Sequence, residues 1–206
     1  DSIMYLMARA AKMAGTPAIR TSSIRDVVAI KEETGLPVIG LVKIQYPGYE
    51  SYITPTMKEV DDLVAAGSDV VALDCPLRKR GDGTTINEFI AAIRAKYPDI
   101  ILMADISNYE EGINAWKCGV DIVGTTMSGY TDYTSKKDEP DYELMRRLAE
   151  DTDIPVIGEG KIHYPDQAVK ALQTGAWAIV VGGAITRPLE IAQRFMKAID
   201  ESKGVE

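Results

Sequence analysis

Residues 24–43, IRDVVAIKEETGLPVIGLVK, contain the unit from which the chain is built. An amphipathic segment runs to Thr34, Gly35 follows it, and a short apolar run then ends at Lys43. Glycine is the usual residue just beyond a helix C-terminus because it adopts the left-handed conformation without strain. A continuous apolar run is typical of a strand covered on both faces, as in a parallel sheet. The stretch therefore predicts a helix over 24–34 and a buried strand over 37–43.

The same join between a helical segment and an apolar run recurs along the chain, with proline replacing glycine at Pro98 and Pro155. Strands that alternate with helices at this spacing are typical of βα units. The predicted helices lie near residues 2–14, 24–34, 57–66, 84–97, 109–118, 140–151, 165–174 and 189–201, and the predicted strands near 17–20, 37–43, 70–74, 100–105, 122–126, 154–159 and 178–182.

These elements predict an α/β fold, a (β/α)₈ TIM barrel that forms a single domain over residues 1–206. Such a barrel has eight strands and eight helices in about 250 residues, whereas this chain of 206 residues opens on a helix. We therefore expect the first strand to be missing from the chain or to lie upstream of it, between the strands near 17–20 and 178–182. A seven-stranded open, doubly wound sheet is the alternative.

Composition excludes several classes of function. With 46% hydrophobic and 26% charged residues, the chain has the balance of a globular protein. A net charge of -8 argues against nucleic-acid binding, and no apolar run reaches the roughly 18–20 residues of a membrane helix. The single histidine and the two cysteines, Cys75 and Cys118, argue against a disulfide framework and a soft-metal cage. The cysteine usage and the absence of a basic leader at the N-terminus predict a cytoplasmic protein.

Polar residues close nearly every predicted strand, and barrel enzymes carry their chemistry at these ends. They are Arg20, Lys43, Asp74, Asp105, Thr125, Thr126, Glu159, Gly182 and Gly183. Each one alone has an ordinary explanation as a strand-end salt bridge or turn, but together they predict an active site.

Lys43 and Glu159 are the strongest catalytic candidates. A lysine at the end of a buried strand is suited to act as a general base or to form a Schiff base. Glu159 is suited to general acid or base catalysis. The alternative is a structural role, in which Glu159 forms an ion pair with Lys43 or Lys161. Asp74 and Asp105 could orient substrate hydroxyls or Lys43, or form salt bridges at the barrel rim.

The glycine pair Gly182–Gly183 predicts a phosphate site. The pair follows the last predicted strand and precedes a helix that begins at Pro188. Glycines let the backbone approach a ligand closely, and the loops after the last two barrel strands frequently bind phosphate. A plain tight turn is the alternative.

Eight segments carry a resemblance to a known family. They are 18–20 (AIR), 37–43 (PVIGLVK), 52–61 (YITPTMKEVD), 72–74 (ALD), 103–107 (MADIS), 124–131 (GTTMSGYT), 155–160 (PVIGEG) and 180–188 (VVGGAITRP). Through nearly all of its length the chain resembles the N-acetylmannosamine-6-phosphate 2-epimerases, bacterial enzymes of sialic-acid and amino-sugar catabolism that fold as phosphate-binding (β/α)₈ barrels.

The resemblance implies an isomerase that interconverts N-acetylmannosamine 6-phosphate and N-acetylglucosamine 6-phosphate by proton transfer at C2. It implies Lys43 and Glu159 as the catalytic pair, without a metal or a cofactor. The substrate-binding residues it implies are Arg20, Asp105 and Thr126 for the sugar, and Gly160, Gly182, Gly183 and Arg187 for the phosphate region. The expected partner is the small amino-sugar phosphate, and we expect a homodimer. A Schiff-base sugar-phosphate aldolase and a non-catalytic sugar-phosphate-binding barrel are the alternatives.

The chain departs from the family pattern at secondary positions. Ile44 stands where the family usually has a basic residue, Ser22 where it commonly has asparagine, and Lys161 where it commonly has arginine. The family's first strand also carries a Cys-Gln pair whose glutamine reaches the substrate, and no segment of this chain corresponds to that strand. These departures affect contacts around the predicted catalytic pair, not the pair itself.

Overall fold

A computed structural model of the chain describes residues 3–203. Strands and helices alternate in this part of the chain. The strands are β1 (Ile19–Ser22), β2 (Val38–Leu41), β3 (Val70–Asp74), β4 (Ile101–Asp105), β5 (Ile122–Gly124), β6 (Val156–Glu159) and β7 (Ala178–Val180). The helices are α1 (Met4–Met13), α2 (Ile24–Thr34), α3 (Met57–Ala65), α4 (Ile86–Lys96), α5 (Tyr109–Lys117), α6 (Tyr142–Asp151), α7 (Pro165–Gln173), α8 (Gly183–Thr186) and α9 (Pro188–Lys203).

The strands form one parallel sheet in the order β1-β2-β3-β4-β5-β6-β7. A doubly wound sheet would reverse its strand order at a switch point, and this sheet does not. Residues of the two outer strands, among them Ile19 of β1 and Ile179 of β7, line the two sides of one groove. The sheet is therefore a nearly closed barrel, which confirms the predicted fold class and excludes the open-sheet alternative.

The element bounds differ from the predicted ones by at most two residues, at several strand and helix ends and at both ends of the first strand. β1 begins at Ile19, two residues later than expected, because the backbone ladder starts where Ile19 N donates to Pro37 O at 3.0 Å. Arg20 consequently lies inside β1, paired with Ile39, instead of at the strand's end. The predicted last helix does begin at Pro188, but the short helix α8 precedes it, and the sequence pattern had not indicated this turn.

Local signals explain where the helices begin and end. Asn108 and Asp141 cap α5 and α6 with their side chains, and Thr85 forms a reciprocal capping box with Glu88 at the start of α4. Gly35 ends α2 in the left-handed conformation, with φ of 64°. Such caps satisfy the backbone groups that a helix end leaves without partners.

Two apolar layers hold the barrel together. The larger one lies between the strands and the surrounding helices. The smaller one fills the barrel interior and consists of Ile39, Leu41, Ile53, Ala72, Met103, Met127 and Ile157. Several of these residues precede a polar strand-end residue by a few positions, so the interior layer supports the polar mouth of the barrel. Among the helices of residues 3–203, none has the length and apolar character that crossing a membrane would require.

Candidate active site

A cavity of about 350 Å³ opens where the strands end. Seven of the nine sequence-predicted site residues line it: Lys43, Thr126, Glu159, Gly160, Gly182, Gly183 and Arg187. The other two, Arg20 and Asp105, are buried and are bonded to each other next to Glu159. The parallel sheet thus brings together residues that are up to 167 positions apart in the sequence, as a barrel mouth does.

Lys43 reaches the cavity from a short hairpin beyond β2. It forms an antiparallel bridge with Ile53. On either side of this bridge, Ile44 N donates to Tyr52 O at 2.9 Å and Thr54 N donates to Val42 O at 2.7 Å. The backbone of Lys43 is therefore fixed by the chain returning from the loop after β2, a role that the sequence pattern had not indicated for residues 52–54.

Arg20 joins two carboxylates beside the cavity. Its Nη2 lies 2.7 Å from Asp105 Oδ2, and its Nε lies 3.2 Å from Glu159 Oε2. The Arg20 side chain is 6% exposed and that of Asp105 is fully buried. Within residues 3–203, Glu159 Oε2 has no hydrogen-bond partner, because the short contact with Arg20 is poorly aligned. This buried oxygen faces Arg20, while the Glu159 side chain as a whole is 17% exposed and lines the cavity.

The electrostatics of this cluster favour the protonated form of Glu159 more than the surroundings of an exposed glutamate favour its protonated form. Burial raises the pKa of Glu159 and the charge of Asp105 adds to the effect, while the Arg20 guanidinium lowers it in part. Burial alone would lower the pKa of Arg20, but the carboxylates of Asp105 and Glu159 raise it. Arg20 is therefore a permanent cation beside a carboxyl group that can give and take a proton.

Two consecutive threonines after β5 fix this arrangement. Thr125 Oγ1 donates to Glu159 O at 2.9 Å and accepts from Glu159 N at 3.0 Å, so it holds the backbone of Glu159 on both sides. Thr126 Oγ1 donates to Asp105 Oδ1 at 2.6 Å. Thr126, which was predicted to contact the sugar, lines the cavity and also anchors Asp105.

Gly182, Gly183 and Arg187 line a further part of the cavity. A methyl group added at Gly182 would meet no atom within 4 Å, so the backbone there is open to a ligand. At Gly183 the same methyl would lie 3.2 Å from both Arg187 Cδ and Glu190 Oε2. Arg187 Nη1 donates to Glu190 Oε1 at 2.8 Å. This part of the cavity therefore combines accessible backbone with a guanidinium group that one surface carboxylate orients.

Loops supply an aromatic and cationic wall that the strand-end pattern alone did not place in the cavity. Tyr52, Tyr130 and Lys161 line the cavity, and Lys161 Nζ lies 4.5 Å from the centre of the Tyr130 ring. Lys161 Nζ also donates to Ser128 O at 2.9 Å, which ties the loop after β6 to the loop after β5. Burial lowers the pKa of Lys161. These residues come from loops, which a pattern of strand ends does not cover.

His163, the single histidine, lies on the cavity wall as well. Within the described residues its Nδ1 is buried without a hydrogen-bond partner, and burial lowers its pKa. Across residues 3–203, His, Cys, Asp and Glu side chains do not come together in threes in a way that could hold a metal ion. The described cavity combines an amine and a carboxyl group, which can transfer protons, with the backbone of a glycine pair and the guanidinium of Arg187.

Comparison with known proteins agrees with this geometry. The family described as "Putative N-acetylmannosamine-6-phosphate epimerase" matches residues 4–201. A protein of Caldanaerobacter subterraneus subsp. tengcongensis named "Putative N-acetylmannosamine-6-phosphate 2-epimerase" is 53% identical over 201 residues, which cover 98% of this chain and 85% of that protein. A Clostridium perfringens protein of the same name is 50% identical over 193 residues, covering 94% and 86%.

Solved structures give the same result. The N-acetylmannosamine-6-phosphate 2-epimerase from Clostridium perfringens superimposes with a TM-score of 0.91 and 48% identity, covering 95% of this chain and 85% of that one. A thiamine phosphate pyrophosphorylase from Pyrococcus furiosus has a TM-score of 0.60 at 19% identity over 96% and 89% of the two chains, which shows a shared fold alone.

Proposed function

Because the chain belongs to the N-acetylmannosamine-6-phosphate epimerase family, we propose that it interconverts N-acetylmannosamine 6-phosphate and N-acetylglucosamine 6-phosphate by inversion at C2. The observation that carries the proposal is the single cavity lined by Lys43, Glu159 and the Gly182–Gly183 backbone. It offers a base, an acid and a phosphate site to one small sugar phosphate. The enzyme is thus a carbohydrate-phosphate epimerase of amino-sugar and sialic-acid catabolism.

Inversion at C2 begins with opening of the sugar ring. The C2 proton is acidic only when C1 is a carbonyl, so the pyranose must first open to the aldehyde. We assign this step to Glu159, because burial raises the pKa of its carboxyl group. A protonated Glu159 donates to the ring oxygen as the C1–O5 bond breaks, while the anomeric hydroxyl releases its proton to water and C1 becomes a carbonyl; both transfers reverse as the ring closes.

Lys43 acts on the open-chain sugar. As a neutral amine it removes the C2 proton, and the electrons move into an enediolate-like intermediate with negative charge on O1. A proton that comes from solvent then adds to the opposite face of C2 as the aldehyde re-forms, which inverts the centre; in the reverse direction the same steps run backwards. Donors placed where this charge develops stabilise the transition state. Thr126 lies on the cavity wall and is assigned to the sugar. Asp105 holds Thr126 in place, and Arg20 holds Asp105 and Glu159.

We place the phosphate group against Gly160, Gly182, Gly183 and Arg187, all of which line the cavity. This placement leaves C1 and C2 of the sugar towards Lys43 and Glu159. Binding energy from the phosphate then holds the reacting carbon in position, which is how remote contacts assist chemistry.

Inorganic phosphate is expected to shift the amide NMR signals of Gly182 and Gly183 at saturation, because these amides would donate to the anion. Arg187→Met is expected to weaken the binding, since one cation leaves the site. Arg146→Met, which removes an exposed arginine of α6, is the control and should leave the affinity unchanged. Amides that stay unshifted at saturating phosphate would place the anion elsewhere.

Incubating the protein with N-acetylmannosamine 6-phosphate in D₂O and following it by proton NMR tests the function. The expected result is N-acetylglucosamine 6-phosphate with deuterium at C2. Borohydride added during turnover is expected to trap no adduct on Lys43, whereas a trapped adduct would favour a Schiff-base aldolase. Binding of the substrate without turnover would favour a non-catalytic barrel.

We also propose that the protein is a homodimer, because one face of α9 is apolar and exposed. Phe195, Met196 and Ile199 are 69%, 54% and 46% exposed, and their spacing places them on one side of the helix. Exposed apolar patches of this kind mark interfaces. Sedimentation of the wild-type protein and of Phe195→Asp is expected to give a dimer and a monomer, respectively.

A cytoplasmic location completes the proposal. Cys75 and Cys118 are free thiols in the structure, and free thiols persist in a reducing compartment. An intracellular sugar phosphate is the substrate class that such a location would supply.

A further inference from the structure

The hairpin that carries Lys43 is supported by a residue outside the cavity wall. We call residues 52–54 the return segment. The paired residues of β2 and β3 are Ile39 with Val70 and Gly40 with Val71, so this ladder stops three positions before Lys43. Beyond that point the chain pairs with the return segment instead of β3: Lys43 bridges with Ile53, and Thr54 N donates to Val42 O at 2.7 Å. Any movement of the return segment therefore moves Lys43.

Asp74, the last residue of β3, holds the return segment from its other side. Its Oδ2 accepts hydrogen bonds from Tyr52 N at 2.7 Å and Ile53 N at 3.3 Å, and its own N donates to Ile53 O at 2.9 Å. The Asp74 side chain is fully buried. One carboxylate thus fixes two consecutive backbone amides of the segment that bridges with Lys43.

Arg78 compensates the buried charge of Asp74. Its Nη2 lies 3.3 Å from both carboxylate oxygens of Asp74, and its guanidinium lies 5.9 Å from the centre of the Tyr52 ring. The Tyr52 hydroxyl in turn donates to Met127 Sδ at 3.3 Å, on the cavity wall. The contacts of Asp74 and Arg78 therefore converge on Tyr52 and leave the return segment little freedom.

From these contacts we propose that Asp74 is a positioning residue for Lys43, acting through the return segment. The inference rests on the proposed function, in which Lys43 moves the C2 proton. Asp74 touches neither Lys43 nor the cavity: its effect is on where the amine sits relative to C2. A displacement of about 1 Å far from the chemistry can cost roughly 10²-fold in rate, so the consequence is measurable.

The test compares Asp74→Ala, Asp74→Asn and the wild-type enzyme. Asparagine keeps an oxygen that can accept from Tyr52 N and Ile53 N but loses the charge that pairs with Arg78. We expect kcat to fall by about 10²-fold in Asp74→Ala and by about tenfold in Asp74→Asn, with KM changing less than about twofold. Partial recovery with asparagine is expected because the backbone contacts are what position Lys43.

The isotope effect separates positioning from a general loss of structure. With substrate deuterated at C2, the effect on kcat is expected to be larger in both Asp74 variants than in the wild type, because proton transfer becomes more rate-limiting. A smaller fraction of folded enzyme would lower kcat and leave the isotope effect unchanged. That outcome, or a wild-type kcat in folded Asp74→Ala, overturns the proposal. If Asp74→Ala does not fold, the same criteria apply to Asp74→Asn.

Asp69→Asn is the matched control. The Asp69 carboxylate also accepts a backbone hydrogen bond, from Val38 N at 2.8 Å, and pairs with a cation, Lys31, at 2.6 Å. Asp69 contacts the start of β2, whereas Lys43 lies beyond its end. The kcat, KM and isotope effect of Asp69→Asn should therefore match those of the wild type.

A readout without substrate keeps this inference distinct from the proposed function. The amide hydrogens of Ile44 and Thr54, which bridge the hairpin, should exchange with solvent at least about tenfold faster in Asp74→Ala, because the return segment loses its anchor. Unchanged exchange there overturns the inference even if the enzyme is an epimerase. Faster exchange in a protein whose wild type does not epimerise would instead reject the proposed function.

Discussion

Lys43→Ala is expected to abolish exchange of the C2 proton with solvent while the sugar phosphate still binds. A general base typically contributes about 10²–10⁴-fold to a rate, and Lys43 is the amine that the cavity places beside Glu159. The phosphate end of the cavity, around Gly182 and Arg187, is untouched by the substitution. Deuterium incorporation at C2, followed by NMR in D₂O, measures the loss, and a phosphate titration measures binding.

Lys43→Arg is the informative companion variant. It keeps the positive charge and the length of the side chain, but a guanidinium does not give up its proton in proteins. If Lys43 only attracted the phosphate or stabilised O1, arginine would restore much of the rate. We expect no restoration, and near-wild-type deuterium incorporation in either variant would exclude Lys43 as the base.

The sequence patterns that predicted the barrel are local, which is why they succeeded. A glycine that ends a helix and an apolar run that follows it are decided within about ten residues, as in the α2–β2 unit with Gly35. Lys43 and Glu159 were found because each comes directly after such a run. The barrel then brings them to one mouth, a consequence of parallel strands and not of any property of the two residues.

The return segment could not be predicted in the same way. Tyr52 comes nine positions after Lys43, in a loop whose path depends on Asp74 and Arg78 in the next βα unit. Periodicity contains no information about such a contact, because it joins a loop to the end of a strand and not two regular elements. For the same reason the strand-end pattern does not place Tyr130 and Lys161 in the cavity.

The position of Arg20 illustrates a different limit. The sequence placed it at the end of the first strand, whereas the ladder with β2 extends to Ser22 and puts Arg20 inside. Its two carboxylate partners, Asp105 and Glu159, come from strands that lie 85 and 139 positions later in the chain. A buried ion cluster of this kind is specified by the closed sheet, and single-sequence patterns do not reveal it.

Arg20→Met is expected to cost about 3–5 kcal/mol in the free energy of unfolding near neutral pH, because removing one partner of a buried ion pair leaves uncompensated charge. Here two carboxylates, Asp105 and Glu159, would lose their shared cation. Urea unfolding at constant ionic strength measures the change. Arg9→Met is the matched control: Arg9 also pairs with a carboxylate, making two hydrogen bonds to Glu33, but its side chain is 51% exposed. Because water screens such a pair, we expect a much smaller effect there.

The pH dependence of the Arg20→Met deficit identifies its electrostatic origin. Burial already raises the pKa of Glu159, and the guanidinium of Arg20 opposes that rise; without Arg20 the pKa rises further. A carboxyl group with a raised folded-state pKa contributes stability that is fully present below its unfolded value, about 4.3 for glutamate. That stability is lost as the pH climbs through the folded-state pKa. As the pH rises from 5 to 8, the free energy of unfolding should therefore fall more in Arg20→Met than in the wild type. Acidification should make the difference between the two free energies smaller. A deficit that stays constant over this range would mean that Arg20 stabilises the barrel by packing and not by charge.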